Sequence, residues 1–310
     1  MVKLLLFRKE VGMMKSKKTI TKSVIILFVL ALLTAVPANT DNRFDYSKYP
    51  ALFYRSIDIY GNVNYRYLTK YRSELDAFTS DLKNLDRTRY ETWDTKEKLA
   101  FWINIYNALT IKLVVDNYPI DGALFKAILY PRNSIKQISG AFDKRTFTVM
   151  GQPMTLDYIR DSIIRKKFAD PRVHVALVSG AEGCPRLPGI PYEGETLDMW
   201  FTFQTRHILK DPMMFRTDRN KGVVYLSELF DWYGQDFITE YDTVAEGLSE
   251  FEAKERAVIN YLSKHIQNNA DREYLLSGNY RLEYIDFDWS LNDKKKVPLP
   301  SEVESTELAS

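Results

Sequence analysis

The chain has 310 residues, 45% of them hydrophobic and 14% aromatic, with a single cysteine and three histidines. That apolar content can bury a large core, and one cysteine excludes an intramolecular disulfide framework. Residues 1–38 hold seven of the 43 basic and one of the 41 acidic residues, so the remainder stands at 36 against 40, near −4, with no basic stripe to neutralise phosphates; nucleic acid is not an expected partner.

The N-terminus reads as a secretion signal. Lys15, Lys17, Lys18 and Lys22 precede an apolar run from Val24 to Ala35, and Val36-Pro37-Ala38 offers small residues at the −3 and −1 positions of a cleavage site. The run is shorter than the about 20 residues that span a hydrocarbon core, so a retained anchor helix is the lesser alternative. No cysteine stands near Ala38 to take a lipid, and Met13 or Met14 makes a more natural start than Met1. The expectation is a signal peptide over 1–38, a periplasmic or secreted mature protein beginning near Asn39, and no stable membrane anchor after cleavage. No linker or repeat interrupts residues 44–292, which read as one globular domain, and 293–310 have the polar, aromatic-free composition of a disordered tail.

Helical periodicity covers 66–84 and 95–117, the second opened by capping oxygens at Asp94-Thr95 and stopped at Tyr118-Pro119. Further helical patterns cover about 155–167, 195–210, 227–237 and 244–267. Strand signals fall at Arg145 to Met150, at the apolar run Val173 to Ser179, at Arg281 to Phe287, and on both sides of the turn Asp218 to Lys221, where Met213 to Arg216 and Gly222 to Leu226 predict a hairpin. Many helices and a few strands out of regular alternation predict an α+β fold, a helix-rich single domain with a small antiparallel or mixed sheet.

Two amides and a thiol draw attention within this frame. Asn104 and Asn107 lie three apart in an otherwise apolar helix, where each must find a partner or pay for desolvation. They either tie down loop backbone or line a pocket. Cys184 follows the permissive loop Gly180 to Gly183, and Cys184-Pro185 resembles the start of a helical turn, which lowers a thiol pKa, but Pro188-Gly189 limits any such helix to one turn and a weak dipole. It is either packed and inert or a nucleophile. His174 is the obvious base, but a strand over 173–179 followed by a tight turn returns the thiol to the far end of that strand, predicting more than about 8 Å between sulfur and ring. His207 and His265 sit on predicted helices as surface or satisfied side chains. The scattered histidines have no metal-ligand spacing, phosphate-cradling glycine motifs are missing, and Ser179 lacks the glycine of a nucleophile elbow, so no metal and no cofactor is expected. Acidic residues are plentiful, and nothing in their spacing singles out a glycosidase pair.

Several blocks together carry a resemblance. They are Gly61 to Tyr65 (GNVNY), Lys98 to Ala108 (KLAFWINIYNA), Asp170 to Leu177 (DPRVHVAL), Gly183-Cys184-Pro185, Leu226 to Tyr233 (LSELFDWY) with Asp236-Phe237, and Phe287 to Asn292 (FDWSLN). The chain resembles the domain-of-unknown-function family numbered 547 over about 44–292. The resemblance carries no established activity. It places Asn104, Asn107, His174, Cys184, Pro185, Trp232, Asp236 and Asn292 at motif positions. The chain departs from the pattern at Ile159-Arg160-Asp161, where the family often reads Ile-Glu-His, and at Ser179, where it often has a second cysteine. Two functional readings follow. One is a thiol-dependent amide hydrolase or acyl transferase of the cell envelope, with Cys184 as nucleophile and His174, Asn104, Asn107, Asp236 and Asn292 around the pocket. The other is a non-catalytic domain binding an envelope peptide, glycan or protein partner.

Overall fold

The helix Thr95–Val115 is apolar around its whole circumference, a pattern that suits only a helix enclosed on every side. All but three of its 21 residues are buried. Among the described residues it is the one helix long and apolar enough to cross a membrane, but 94% of that stretch is covered by the protein itself, which makes it a core helix. Asp94 caps it by accepting from Glu97 N at 2.9 Å, and the Glu97 carboxylate in turn accepts from Gly194 N at 2.9 Å. The computed structural model describes residues 42–122, 128–243 and 246–294, and the elements below belong to the compact unit that begins at Arg43. The expected signal segment 1–38 and the tail beyond residue 294 lie outside the described residues.

The other helices wrap this core. The pattern over 66–84 resolves into Tyr65–Lys70 and Arg72–Asn84, separated where the Tyr71 backbone leaves helical angles at φ −101°, ψ 32°. Tyr158–Phe168 is a wide π-helix, ended by Ala169 in the left-handed conformation. Leu197–Ile208 follows, and Glu228–Tyr241 packs against Ala253–Ser263. The latter begins later than the periodicity over 244–267 suggests, because Glu252 and Glu255 form a capping box there. Asn269–Ser277 is a helix that the pattern analysis does not foresee.

Two small sheets complete a helix-rich α+β domain. β1 (Thr146–Val149) and β2 (Gln152–Thr155) form an antiparallel hairpin turning through Met150 and Gly151, both at positive φ as a two-residue primed turn requires. β3 (Phe215–Asp218) pairs antiparallel with β4 (Val223–Ser227), and β5 (Arg281–Ile285) adds parallel to β4, giving a mixed sheet in the order β3-β4-β5. β4 runs directly into Glu228–Tyr241, whose first turn Ser227 caps.

One expected strand is corrected. Val173 to Ser179 is not a strand: Pro171–Val175 is a 3-10 helix, and the chain beyond it is irregular. Asp170 accepts from Arg172 N at 3.0 Å, and Pro171 at the first helical position presets φ, so the Asp-Pro pair opens a helical turn. The apolar run is buried on all sides and therefore lacks the alternation that separates a strand from a buried helix.

Candidate functional site

The segment leaving that 3-10 helix is pinned by the central helix. Asn107 donates to Ala176 O at 3.0 Å and accepts from Val178 N at 2.8 Å, which fixes the backbone just before Ser179. Gly180, at φ 75°, turns the chain, and Glu182 N and Gly183 N bond to Ser290 O and Asp288 O at 2.8 and 2.9 Å. A Cβ at Gly183 would stand 2.7 Å from Asp288 N, so this close approach needs glycine. The turn folds Cys184 back onto Ser179, whose N–H donates to Sγ at 3.1 Å and whose hydroxyl lies 3.1 Å from Sγ. No helix starts at Cys184, so no helix terminus acts on its pKa. Burial pushes the thiol pKa up, against the bonds from Ser179 that favour the thiolate.

His174 is buried and held from two sides by one helix. Tyr233 stacks on its ring at 4.2 Å and 15°, and Asp236, one turn on, bonds its Nε2 at 2.7 Å. Arg165 grips the same carboxylate with two bonds of 2.7 and 2.9 Å and reaches Asp161 at 2.9 Å. Arg160 pairs with Asp157 and Asp161 at 2.9 and 2.7 Å. Burial works against the Asp236 carboxylate, but the bonds and charges of His174 and Arg165 outweigh it and hold its pKa well below the usual range. Burial also lowers the His174 pKa, more than Asp236 raises it. A carboxylate on Nε2 assigns the proton to that nitrogen and leaves Nδ1 as the acceptor.

These shifts carry an expected pH dependence of stability. The unfolded chain protonates His174 below about pH 6.5 while the folded chain resists, so stability falls from there as pH drops. The contribution of Asp236 is complete above about pH 4 and is lost as pH falls through its depressed folded value. Urea midpoints should therefore decline between pH 7 and 5, and His174→Gln should flatten part of that slope. His207 and His265, whose pKa values burial also lowers, keep the remainder. Equal slopes in the two proteins would contradict this account.

Cys184, Ser179 and His174 line a single cavity of about 430 Å³. Its walls are aromatic, chiefly Tyr106, Phe142, Trp232, Tyr233 and Trp289, and Lys136, Asp157 and Arg160 bring charge to it. The thiol and the imidazole are not hydrogen-bonded to each other, since Sγ is held by Ser179 and Nε2 by Asp236. The strand on which the expected wide separation rested is absent, because Pro171–Val175 is a 3-10 helix and the chain from Ala176 to Cys184 is irregular. A wider, more polar hollow of about 1020 Å³ lies against Glu182, Asp286 and Asp288 and contains neither the thiol nor the imidazole.

The remaining sequence candidates stand elsewhere. Asn104 exchanges two bonds of 2.8 Å with the Tyr192 backbone, and Asn292 accepts from Tyr65 OH at 2.7 Å. These two and Asn107 do not line the cavity. Asp236 reaches it only through His174. His207 bonds Arg186 at 2.9 Å, and His265 borders a different, basic hollow with Arg206 and Lys210. Among the described residues no cluster of His, Cys, Asp and Glu has the makings of a metal site. Lys136, Arg165 and Tyr233 are additions from the structure. The three-residue spacing of Tyr233 and Asp236 on one helix is a signal that could have paired those two, whereas nothing local marks Lys136.

A family described as "Protein of unknown function, DUF547" matches residues 90–207. The matched stretch holds the central helix, His174 and Cys184 and ends before Asp236 and Asn292. No curated protein and no solved structure matches the chain.

Proposed function

We propose that the chain is an exported cell-envelope enzyme that cleaves or transfers acyl groups of amides or esters through a thioester on Cys184. The observation that carries this reading is that Cys184 shares a cavity with a histidine already oriented by a carboxylate. Export rests on the signal-like segment 1–38. His174 would be the base. Its lowered pKa keeps the ring neutral near pH 7, and Nδ1 is then the nitrogen able to accept a proton. Because the thiol rests protonated, it needs a base at the moment of attack rather than a standing thiolate.

In this scheme Sγ attacks the acyl carbon as its proton passes to Nδ1, directly or through one water. The C–N or C–O bond then breaks, and the imidazolium returns the proton to the departing amine or alcohol. Water or another acceptor attacks the thioester and frees the thiol. Asp236 stabilises the transient imidazolium, and the Ser179 N–H supports charge on sulfur.

A second reading, a cavity that binds a peptide, glycan or partner without turning it over, is favoured by the raised thiol pKa. Incubation with 4-nitrophenyl acetate separates the two. The enzyme reading expects a burst of nitrophenolate and an acetyl group mapped by mass spectrometry to Cys184, slowed about 100-fold in His174→Gln. A thiol that stays unmodified until the protein unfolds leaves the binding reading in its place.

A further inference from the structure

We infer that the ligand of this cavity carries a free carboxylate beside an apolar or aromatic group, and that Lys136 is the residue that holds the carboxylate. The inference rests on the cavity being the substrate site and names the class of substrate it takes.

The argument starts from the charges around the cavity. Arg160 is committed to Asp157 and Asp161, and Arg165 behind it to Asp161 and Asp236. Lys136 differs. It stands on the short turn Ile135–Gln137, with Nζ 4.1 Å from the Trp289 ring centre and 5.1 Å from that of Phe142, and no carboxylate among the described residues lies within ion-pairing distance of it. Aromatic faces attract an ammonium but do not neutralise it, and its three N–H groups have no anionic acceptor. Burial lowers the Lys136 pKa and Arg160 pushes the same way, with Asp157 opposing. The cavity thus holds a half-buried cation placed where it is costly unless an anion completes it.

The rest of the lining states what surrounds that anion. Trp289, Trp232, Phe287 and Phe142 offer flat apolar walls beside the ammonium, while Cys184 and His174 face the same space. A volume of about 430 Å³ lies at the small end of ligand cavities. It suits a group of one or two amino-acid residues, such as an acylated amino acid or the C-terminal end of a peptide. In such a ligand the carboxylate sits on Lys136 and the side chain against the aromatic walls.

Calorimetric titration of the purified protein with 3-phenylpropionate and with its neutral isostere 3-phenylpropionamide tests this. The acid should bind at least tenfold more tightly than the amide, and more weakly as salt is raised. Lys136→Met should remove at least tenfold of the affinity for the acid, whereas Lys136→Arg should retain most of it. Cys184→Ala should bind the acid as the native protein does, because the anchor is independent of the thiol. Equal affinity for acid and amide, or no binding of either, overturns the inference without recourse to a variant. If Cys184 is acylated but acid and amide bind alike, the carboxylate inference falls and the enzyme stands. If the thiol is inert but the acid binds through Lys136, the enzyme falls and the carboxylate site stands.

Discussion

Asp236→Ala should lower the unfolding free energy by about 3 kcal/mol, the lower part of the range for breaking a buried charge pair by removing one partner. The carboxylate is the shared acceptor of three bonds, one from the His174 ring and two from Arg165, so its loss strands groups on two different elements. The Asp236 and Arg165 side chains keep 26% and 28% of their exposure, which lets water recover part of the loss and holds the figure below the upper end of that range. Arg165 would also keep its bond to Asp161. Urea unfolding of the variant beside the native protein measures the change. A loss under about 1 kcal/mol would place this carboxylate with ordinary surface ion pairs. Asp236→Asn retains an acceptor and the shape of the side chain, so it should cost less than alanine while still disturbing the imidazole tautomer.

How much of this arrangement is legible in the sequence differs element by element. The central helix is legible because the cap at Asp94, the long, mostly apolar stretch and Pro119 agree with one another. The hairpin of β3 and β4 is legible from its polar turn. The segment after Asp170 is not, since an apolar run buried on every side has no period to read, and there the Asp-Pro cap outweighs the β-branched valines. Asn269–Ser277 carries its own end markers, Asn268 and left-handed Gly278, yet only Leu275 of its residues is buried, so no apolar stripe announces it. In the site, Cys184 and His174 stand out by scarcity alone. The bond from His174 to Asp236 joins residues 62 apart in the chain and depends on how Glu228–Tyr241 docks, which no local pattern encodes. Lys136 is hidden for the same reason, because its surroundings are supplied by Trp289 from the far end of the domain.

Asn104→Leu and Asn107→Leu should each cost about 2–4 kcal/mol, since each leaves one buried carbonyl and one buried N–H without a partner. Asn104 serves Tyr192 O and Tyr192 N, and Asn107 serves Ala176 O and Val178 N, every bond between 2.8 and 3.0 Å. Leucine fills similar space, so the loss reports the unmade bonds more than a cavity. The two variants should part company at the thiol. Val178 directly precedes Ser179, whose N–H and hydroxyl hold Sγ, whereas Tyr192 lies eight residues beyond Cys184, farther along the same irregular segment. Alkylation of native-state Cys184 by iodoacetamide should therefore change several-fold in Asn107→Leu and stay near the native rate in Asn104→Leu. Equal rates in both variants, at comparable losses of stability, would mean that the clamp on Ala176 and Val178 does not set the position of the sulfur. A shift confined to Asn107→Leu would make this amide, which does not itself line the cavity, the residue through which the core helix positions the thiol.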